Sequence, residues 1–146
     1  MNLELLLSSK PDAATLASWL HKVPYARFLG MQADVTAGEI LFILPENEQL
    51  IGNPSLPALH GGVVGAFMEQ AAAFELVAKM EQPVLPKIID FSLDYLRPVR
   101  VQTAYAKCQV TRQGKLVANV SVTTWQEDDT KPNATARAHF LIPGET

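Results

Sequence analysis

The first part of this chain carries hydrophobic residues at the spacing of a helix. Leu16, Trp19 and Leu20 recur three or four residues apart in a run that opens at Pro11 and Asp12. This spacing places the three side chains on one helical face. A helix buried along that face is therefore predicted.

A second, shorter helix is predicted directly after the first. Val23-Pro24 ends the first helix, because proline lacks the N–H that a helix interior needs. The next run, from Tyr25 to Leu29, ends at Gly30, a residue that readily adopts the left-handed conformation of a helix cap. Residues 1–30 are expected to form a helical extension.

From Met31 onward the hydrophobic period shortens to that of a strand. Segments 33–37 and 39–44 flank Gly38 and predict a hairpin, whose second arm is rich in Ile, Leu and Phe. Four later segments share the same character and are predicted strands: 87–96, 102–111, 116–125 and 133–142.

The segment from Glu46 to Leu59 breaks both periods. Gly52, Pro54 and Pro57 interrupt it, so it is predicted to be an ordered loop rather than a helix or a strand. This loop directly precedes His60.

One long helix is predicted from Gly61 to Met80, and it is apolar on almost every face before Glu75. A helix at a protein surface shows one polar side. This helix must therefore be wrapped by other structure. Two strands before it and four after it predict an α+β layout, an antiparallel sheet around a central helix, which is the hotdog arrangement.

Composition narrows the class of protein. The chain has 146 residues, 48% hydrophobic and 18% charged, which suits one domain spanning residues 1–146. No apolar run reaches the roughly 18 residues of a membrane span. Glu4 stands where a signal peptide has a basic flank, so a cytoplasmic location is expected. A net charge of −3 without a basic stripe disfavours nucleic acid as a partner.

Several kinds of chemistry find no motif in this sequence. It contains no Gly-x-Ser-x-Gly nucleophile, no phosphate-binding loop and no dinucleotide fingerprint. His21, His60 and His139 lack metal-ligand spacing, so no metal is expected. Cys108 is the single cysteine and is predicted to be a small core or interface residue.

The remaining candidates begin with His60-Gly61-Gly62 at the start of the long helix. Two glycines let another group approach the backbone closely, and the first N–H groups of a helix have no partner within it. Such an N–H could stabilise the oxyanion of an acyl-transfer intermediate. The alternative is that His60 simply caps the helix and packs.

Glu69 lies two turns further along the same helix, where every neighbour except Gln70 is apolar. A buried carboxylate is costly unless it is hydrogen-bonded or its pKa rises. Near a reacting carbonyl it could act as general base toward water, or attack to give a mixed anhydride. The alternative is an ordinary solvated glutamate, which is the commoner state of this residue.

Two segments together resemble a known family. His60-Gly-Gly-Val-Val-Gly-Ala-Phe-Met-Glu69 and Ile89-Asp-Phe-Ser-Leu-Asp-Tyr-Leu-Arg-Pro98 are similar to the hotdog-fold thioesterases of the phenylacetate-degradation (PaaI-like) type. The resemblance covers about residues 30–142. It implies hydrolysis of acyl-CoA or aryl-CoA thioesters with no metal or cofactor, by dimers or dimers of dimers with active sites at the dimer interface.

The resemblance also implies residue roles. The Gly61 N–H would polarise the thioester carbonyl, with Gly62 beside it in the substrate site. His60 would orient the loop or contact the thioester. Glu69 of the other subunit would be base or nucleophile. Apart from the resemblance, Gln70 beside Glu69 could serve as a polar partner in place of the Ser or Thr that many members carry.

This chain departs from the family pattern at two positions. Members usually carry Asn or Gln six residues before the His, where this chain has Pro54, with Asn53 one residue earlier. Many also place Ser or Thr seven residues before Tyr95, where this chain has Ile88. Asn53 and Ile88 remain candidate catalytic and substrate-binding residues, respectively.

Arg97 and Arg100 follow the second motif and are candidate ligands for CoA phosphates, with solvated surface arginines as the alternative.

The first hypothesis for the function is a thioesterase for medium-chain or aromatic acyl-CoA. The second is a non-catalytic acyl-CoA-binding or regulatory hotdog protein, and a hotdog dehydratase is weaker because it needs a differently placed His. Apolar residues of the N-terminal segment have three possible roles, covering a sheet edge, closing an acyl tunnel or making oligomer contacts: Leu3, Leu5, Leu6, Leu7, Leu16 and Trp19.

Overall fold

The computed structural model describes residues 11–80 and 84–143. Four residues of the apolar N-terminal segment, Leu3, Leu5, Leu6 and Leu7, lie outside this part of the chain. The helices and strands, in chain order, are α1 (Ala13–Lys22), α2 (Pro24–Leu29), β1 (Gln32–Thr36), β2 (Glu39–Leu44), β3 (Ile51–Asn53), β4 (Ala58–Leu59), α3 (Gly61–Ala78), β5 (Lys87–Tyr95), β6 (Ala104–Gln113), β7 (Val117–Trp125) and β8 (Ala134–Leu141).

Six strands form one antiparallel sheet in the order β1-β2-β6-β7-β8-β5. The sheet wraps around α3, which packs against β6, β7, β8 and β2. The predicted α+β hotdog fold is confirmed. The predicted long strands agree with the structure to within two residues, and α3 ends at Ala78 rather than Met80.

The two N-terminal helices form as the sequence predicts. Asp12 caps α1 by accepting a hydrogen bond from the Thr15 N–H at 2.8 Å. Pro24 begins α2, where its missing N–H costs nothing. Gly30 ends α2 in the left-handed conformation, with φ 73°.

The apolar character of α3 matches its burial. Phe67, Met68 and Leu76 are almost fully buried against the inner face of the sheet. That inner face is built largely from small side chains, so the helix can approach the sheet closely: Ala104, Ala106, Ala118, Ala134, Ala136 and Ala138. Glu75, where the sequence suggested that polar character begins, is buried too.

The prediction of a loop without regular elements over residues 46–59 is wrong. This stretch contains a 3₁₀ turn at Glu48–Leu50 and a separate two-stranded sheet of β3 and β4. Both prolines lie in the connection between these strands. Strands of three and two residues are too short to show an alternating pattern, so they could not be predicted from the sequence.

The β3–β4 hairpin holds the start of α3 in place. The His60 N–H donates to the Leu50 carbonyl at 2.9 Å, and the Leu59 N–H donates to the Val99 carbonyl at 2.8 Å. A Cβ on Gly52 would lie 2.5 Å from the His60 Cα, so only glycine fits there. The backbone before α3 is thereby fixed from two sides.

The hairpin turn between β1 and β2 offers a test of local backbone strain. Ala37 and Gly38 both have positive φ, 53° and 77°. Glycine adopts this conformation freely, whereas an L-residue pays roughly 1–2 kcal/mol. We expect Ala37→Asn to raise the free energy of unfolding by about 0.5–1 kcal/mol, because Asn tolerates the left-handed region.

Urea unfolding of the wild type, Ala37→Asn and Ala37→Val measures this effect. The β-branched Val variant should lose stability. Equal midpoints for all three proteins would contradict the strain argument.

None of the helices in the described part of the chain is long and apolar enough to cross a membrane.

Candidate active site

His60 caps the N-terminus of α3 with its side chain. The imidazole Nδ1 accepts a hydrogen bond from the Gly62 N–H at 2.9 Å. A neutral ring that accepts at Nδ1 carries its proton on Nε2. Because His60 is exposed, this Nε2–H is available to a ligand outside the helix.

The N–H of Gly61 is the open donor at this helix start. The Gly62 N–H is engaged by His60, and the N–H groups of Val63 and Val64 donate to the His60 carbonyl at 3.0 and 3.2 Å. None of the described residues accepts a hydrogen bond from the Gly61 N–H. Helix dipole and geometry both favour negative charge at this position.

Tyr95, at the end of β5, holds Gly61 from the other side. Its hydroxyl donates to the Gly61 carbonyl at 2.6 Å. A Cβ on Gly61 would lie 3.1 Å from that hydroxyl oxygen, so the absence of a side chain permits the contact. Tyr95 was not among the predicted site residues. The strand-end motif Tyr-Leu-Arg-Pro was the signal that could have indicated it.

Gly65 and Glu69 follow Gly61 on α3, and side chains of β5 lie against the helix at Gly65. A Cβ on Gly65 would meet the Leu93 side chain at 3.3 Å. Residues four apart share one face of a helix. Glu69 therefore lies one turn beyond the contact between Gly65 and β5, on the same side of α3.

The Glu69 carboxyl is half-buried, and burial raises its pKa above the ordinary value. None of the described residues donates a hydrogen bond to the Glu69 carboxyl or forms an ion pair with it. A carboxyl held in partly apolar surroundings without a partner is a better base once it is ionised. Gln70, next to it, is also half-buried.

Ile88 lies on the face of β5 that points toward α3. It pairs with the buried Phe140 across the β5–β8 ladder, and paired residues in an antiparallel sheet point to the same side. Its side chain is 37% exposed. The position offers apolar contact and no hydroxyl to hold a water molecule.

Asn53 ends β3 and directly follows Gly52, which packs closely against His60. Its side-chain oxygen accepts from the Ser55 N–H at 3.0 Å, an arrangement that stabilises the turn. Its NH₂ group and the second lone pair of the oxygen are left for a ligand. The structure thus brings Asn53 near the helix start and gives its side-chain oxygen one structural hydrogen bond.

Arg97 and Arg100 line one groove of about 440 Å³ at the end of the sheet, together with Lys131. The Arg97 guanidinium donates to the Pro132 carbonyl at 2.7 Å. Gln126 fixes the Arg100 backbone by two hydrogen bonds, at 3.0 and 2.8 Å. Lys131 was missed by sequence reasoning because it lies about thirty residues away, in a polar turn.

The groove is connected to the helix start through the backbone. Ala58 forms a β-bridge with Arg100, two residues before His60. This bridge joins the backbone at Arg100 to the strand that leads into α3. Glu127 and Asp128 also line the groove and limit its positive charge. Within residues 11–80 and 84–143, no cluster of three metal-ligating side chains occurs.

The fold and this site together define the class of protein. A hotdog sheet presents an open helix N–H, a capping His and a carboxyl of raised pKa, all on one buried helix. These groups suit hydrolysis of an activated acyl group. The class is that of the hotdog thioester hydrolases.

Comparison with known proteins identifies the family. Residues 56–133, more than half of the chain, match the thioesterase superfamily model. The protein belongs to the thioesterase superfamily. The matched residues include the whole of α3 and the strands β5, β6 and β7.

Individual proteins are similar to this chain over most of its length. The medium/long-chain acyl-CoA thioesterase YigI of Escherichia coli K12 is 27% identical over 138 residues, covering 85% of this chain and 88% of YigI. A crystal structure from Chromobacterium violaceum is 43% identical with a TM-score of 0.73, covering 91% of this chain and 93% of that one. A phenylacetic acid degradation-related protein from Ralstonia eutropha JMP134 shares the fold, with 22% identity, a TM-score of 0.75, and coverage of 87% and 98%.

Proposed function

We propose that the protein hydrolyses acyl-CoA thioesters to a free acid and CoA. The observation that carries this proposal is the open Gly61 N–H at the start of a buried helix, with an unpaired carboxyl, Glu69, on the same helix. YigI, the acyl-CoA thioesterase named above, supports CoA as the thiol.

In the proposed mechanism the thioester carbonyl oxygen accepts a hydrogen bond from the Gly61 N–H. The charge that develops on this oxygen in the tetrahedral intermediate is stabilised there. The Nε2–H of His60 is a second donor on the same side. Glu69 either takes a proton from an attacking water or attacks the carbonyl itself to give a mixed anhydride, which water then cleaves. The CoA thiolate leaves and is protonated.

One protomer alone does not bring these groups together. Glu69 is eight residues beyond Gly61, so the two backbone positions are about 12 Å apart along the helix axis. A glutamate side chain cannot span that distance while its helix stays intact. We infer that Glu69 acts on a thioester bound at Gly61 of a second subunit.

The strand β5 is the surface that we propose for the dimer. It lies at the edge of the sheet. Ile89 is 57% exposed on it, and Tyr95 and Leu96, where it ends, are also exposed. An exposed apolar edge strand favours pairing with another strand. Two copies joined at β5 form a homodimer with α3 of each copy beside the junction, and a dimer of dimers is the proposed assembly.

We propose medium-chain acyl-CoA as the substrate, with aromatic acyl-CoA as the competing choice. YigI is named for medium and long chains, which favours the aliphatic option. Ile88 and Phe91, on the α3 side of β5, provide apolar surface near Glu69. A series of acyl-CoA esters from four to sixteen carbons, with phenylacetyl-CoA beside them, separates these choices by kcat/KM from free-thiol release.

The groove at Arg97 and Arg100 is the proposed site of the CoA phosphates. We expect Arg100→Gln to raise KM for acyl-CoA about tenfold while kcat changes little, because a phosphate contact serves binding rather than chemistry. The matched substrate is the acyl-pantetheine ester, which lacks the nucleotide and its phosphates. Its KM should be the same for both proteins. An equal increase for both substrates would exclude phosphate binding at Arg100.

Tyr95 is a positioning residue in this proposal. We expect Tyr95→Phe to lower kcat about three- to tenfold with KM nearly unchanged, because the lost hydrogen bond loosens the Gly61 peptide that binds the oxyanion. Thermal unfolding checks that the fold is intact. A change in KM alone would contradict this role.

A non-catalytic acyl-CoA-binding protein is the second candidate. Two observations favour it, the apolar Ile88 and the partly engaged Asn53 amide. It predicts saturable binding of acyl-CoA in calorimetry without release of thiol. Turnover that depends on Glu69 would exclude it.

The predicted cytoplasmic location and the single-domain assignment stay predictions.

A further inference from the structure

The groove at the end of the sheet contains a hydrogen-bond acceptor that the phosphates of CoA do not need. Asn133 lines this groove directly before β8 and is only 7% exposed. A phosphate group presents oxygens that accept hydrogen bonds. An acceptor fixed in the wall of a phosphate site therefore calls for a second kind of ligand group, one that donates.

The position of Asn133 is fixed by four hydrogen bonds. Its backbone N–H donates to the Thr124 carbonyl at 2.8 Å. Its backbone carbonyl accepts from the N–H groups of Leu96 and Arg97, at 2.8 and 3.0 Å. The side-chain NH₂ donates to the Pro98 carbonyl at 2.9 Å. These contacts hold the side-chain amide in one orientation, with its NH₂ group toward Pro98 and its oxygen turned away from it.

The side-chain oxygen of Asn133 is open. No residue in the ranges 11–80 and 84–143 donates a hydrogen bond to this Oδ1. The oxygen is not enclosed by the protein either, because the enclosed and unpaired side-chain atoms of the described residues are Trp19 Nε1 and Glu75 Oε2. An acceptor on a mostly buried side chain is costly while it lacks a donor. Asn133 thus offers a fixed acceptor to the groove that it lines.

Two cations of the same groove are available to an anion. Within the described part of the chain, neither the Arg100 guanidinium nor the Lys131 ammonium forms an ion pair. The carboxylate of Asp128, which also lines the groove, instead accepts hydrogen bonds from the Thr130 N–H and hydroxyl, at 2.9 and 2.7 Å. The groove therefore combines positive charge with one neutral acceptor.

This combination fits a nucleotide better than a phosphate alone. The groove has a volume of about 440 Å³, which is that of a small-molecule site. The 3′-phosphoadenosine end of CoA carries a phosphate on its ribose and an exocyclic amino group on its adenine. The side-chain oxygen of asparagine is a suitable acceptor for this amino group, as it is when proteins recognise adenine in DNA.

We propose that the groove binds the 3′-phosphoadenosine end of CoA, with the adenine amino group donating a hydrogen bond to the Asn133 Oδ1 and the phosphate bound by Arg100 and Lys131. This inference rests on the proposed hydrolysis of acyl-CoA. It makes Asn133 a specificity-determining residue, because a thioester whose thiol part lacks adenine leaves the Oδ1 unpaired.

Titration calorimetry of the full chain with adenosine 3′,5′-bisphosphate tests the proposal without any turnover. The matched ligand is purine riboside 3′,5′-bisphosphate, which has the same ring system and phosphates but no amino group. We expect the wild type to bind the adenosine compound about tenfold more tightly, because the matched ligand leaves the Asn133 acceptor without a donor.

Three variants make the result specific. In Asn133→Ala the two ligands should bind with similar Kd values. Arg100→Gln should weaken both ligands by a similar factor and keep the tenfold ratio, because its side chain contacts the phosphate. Lys107→Gln changes a lysine outside the groove and should alter neither Kd. The ratio is taken within each protein, and the wild-type ratio alone decides if Asn133→Ala fails to fold.

Inhibition kinetics test whether the bound nucleotide occupies the place of CoA. Adenosine 3′,5′-bisphosphate should inhibit hydrolysis competitively toward acyl-CoA, and inhibition that excess acyl-CoA does not relieve would overturn the proposal. Equal wild-type Kd values for the two ligands, an unchanged ratio in Asn133→Ala, or no binding of the adenosine compound would overturn it too. Hydrolysis of acyl-CoA without nucleotide binding would reject the groove and keep the proposed function, whereas nucleotide binding without hydrolysis would do the reverse.

Discussion

Replacing Glu69 by Gln is expected to lower kcat for acyl-CoA hydrolysis by about 100- to 10,000-fold, the usual contribution of a general base. Gln has almost the same shape but cannot take a proton or attack the carbonyl. KM should change little, since the carboxyl acts on the reacting carbonyl rather than on the bulk of the substrate. The measurement is steady-state release of free thiol from one acyl-CoA ester.

The pH dependence of the wild type follows from the same carboxyl. Both proposed roles need the ionised form, so activity falls as the pH drops through the pKa of Glu69. Burial raises that pKa, so the acid limb should lie at higher pH than for an exposed glutamate. The Gln variant should lack this limb in its residual activity.

Stability provides the control for this variant. A raised folded-state pKa favours folding while the group is protonated, below its unfolded pKa. This contribution is lost as the pH rises through the folded-state pKa. At neutral pH the ionised Glu69 is therefore unfavourable for folding, and Glu69→Gln should unfold at the same or a higher temperature.

Glu46→Gln makes the same chemical change at an exposed glutamate and should leave activity unchanged. Equal rates for wild type and Glu69→Gln would reject the catalytic role.

Removing the N–H of Gly61 is expected to have an effect of similar size. Gly61 is the first residue of α3, a position where helices accept proline. Its predecessor His60 is extended, with ψ 130°, as the residue before proline prefers. We expect Gly61→Pro to lower kcat about 100- to 1,000-fold, the usual effect of losing one oxyanion donor.

Gly61→Ala is the matched variant because it adds a Cβ but keeps the N–H. Its Cβ would lie 3.1 Å from the Tyr95 hydroxyl oxygen, so some loss of activity and stability is expected from crowding. The ratio of kcat between the Ala and Pro variants isolates the N–H. Circular dichroism verifies that both proteins keep their helices. Equal kcat values for the two variants would show that the Gly61 N–H does not stabilise the oxyanion.

The sequence predicted α3 well because that helix is apolar on nearly all sides, a pattern that only a wrapped helix shows. The hairpin at Gly38 and the four later strands were predictable from alternation and turn residues. The β3–β4 hairpin was not, because its strands are too short to carry a period. Its role in positioning His60 depends on one close approach, at Gly52.

The candidate site was predictable in part. His60, Gly61 and Glu69 stood out because glycines and a carboxyl are unusual in an apolar helix. The contact from Tyr95 to Gly61 joins residues 34 positions apart, and no local pattern encodes such a pairing. Capping of the helix by His60 was one of the two alternatives that the sequence offered, and the structure shows it in the hydrogen bond from the Gly62 N–H.

Mixing two inactive variants tests the central claim most directly, that each active site combines Gly61 of one subunit with Glu69 of another. Glu69→Gln and Gly61→Pro are unfolded together, refolded together, and assayed for thiol release. In a two-fold symmetric dimer, half of the random pairs are mixed, and each mixed pair restores one of two sites, so about one quarter of wild-type activity should return. Activity no higher than that of either variant alone would contradict a shared site.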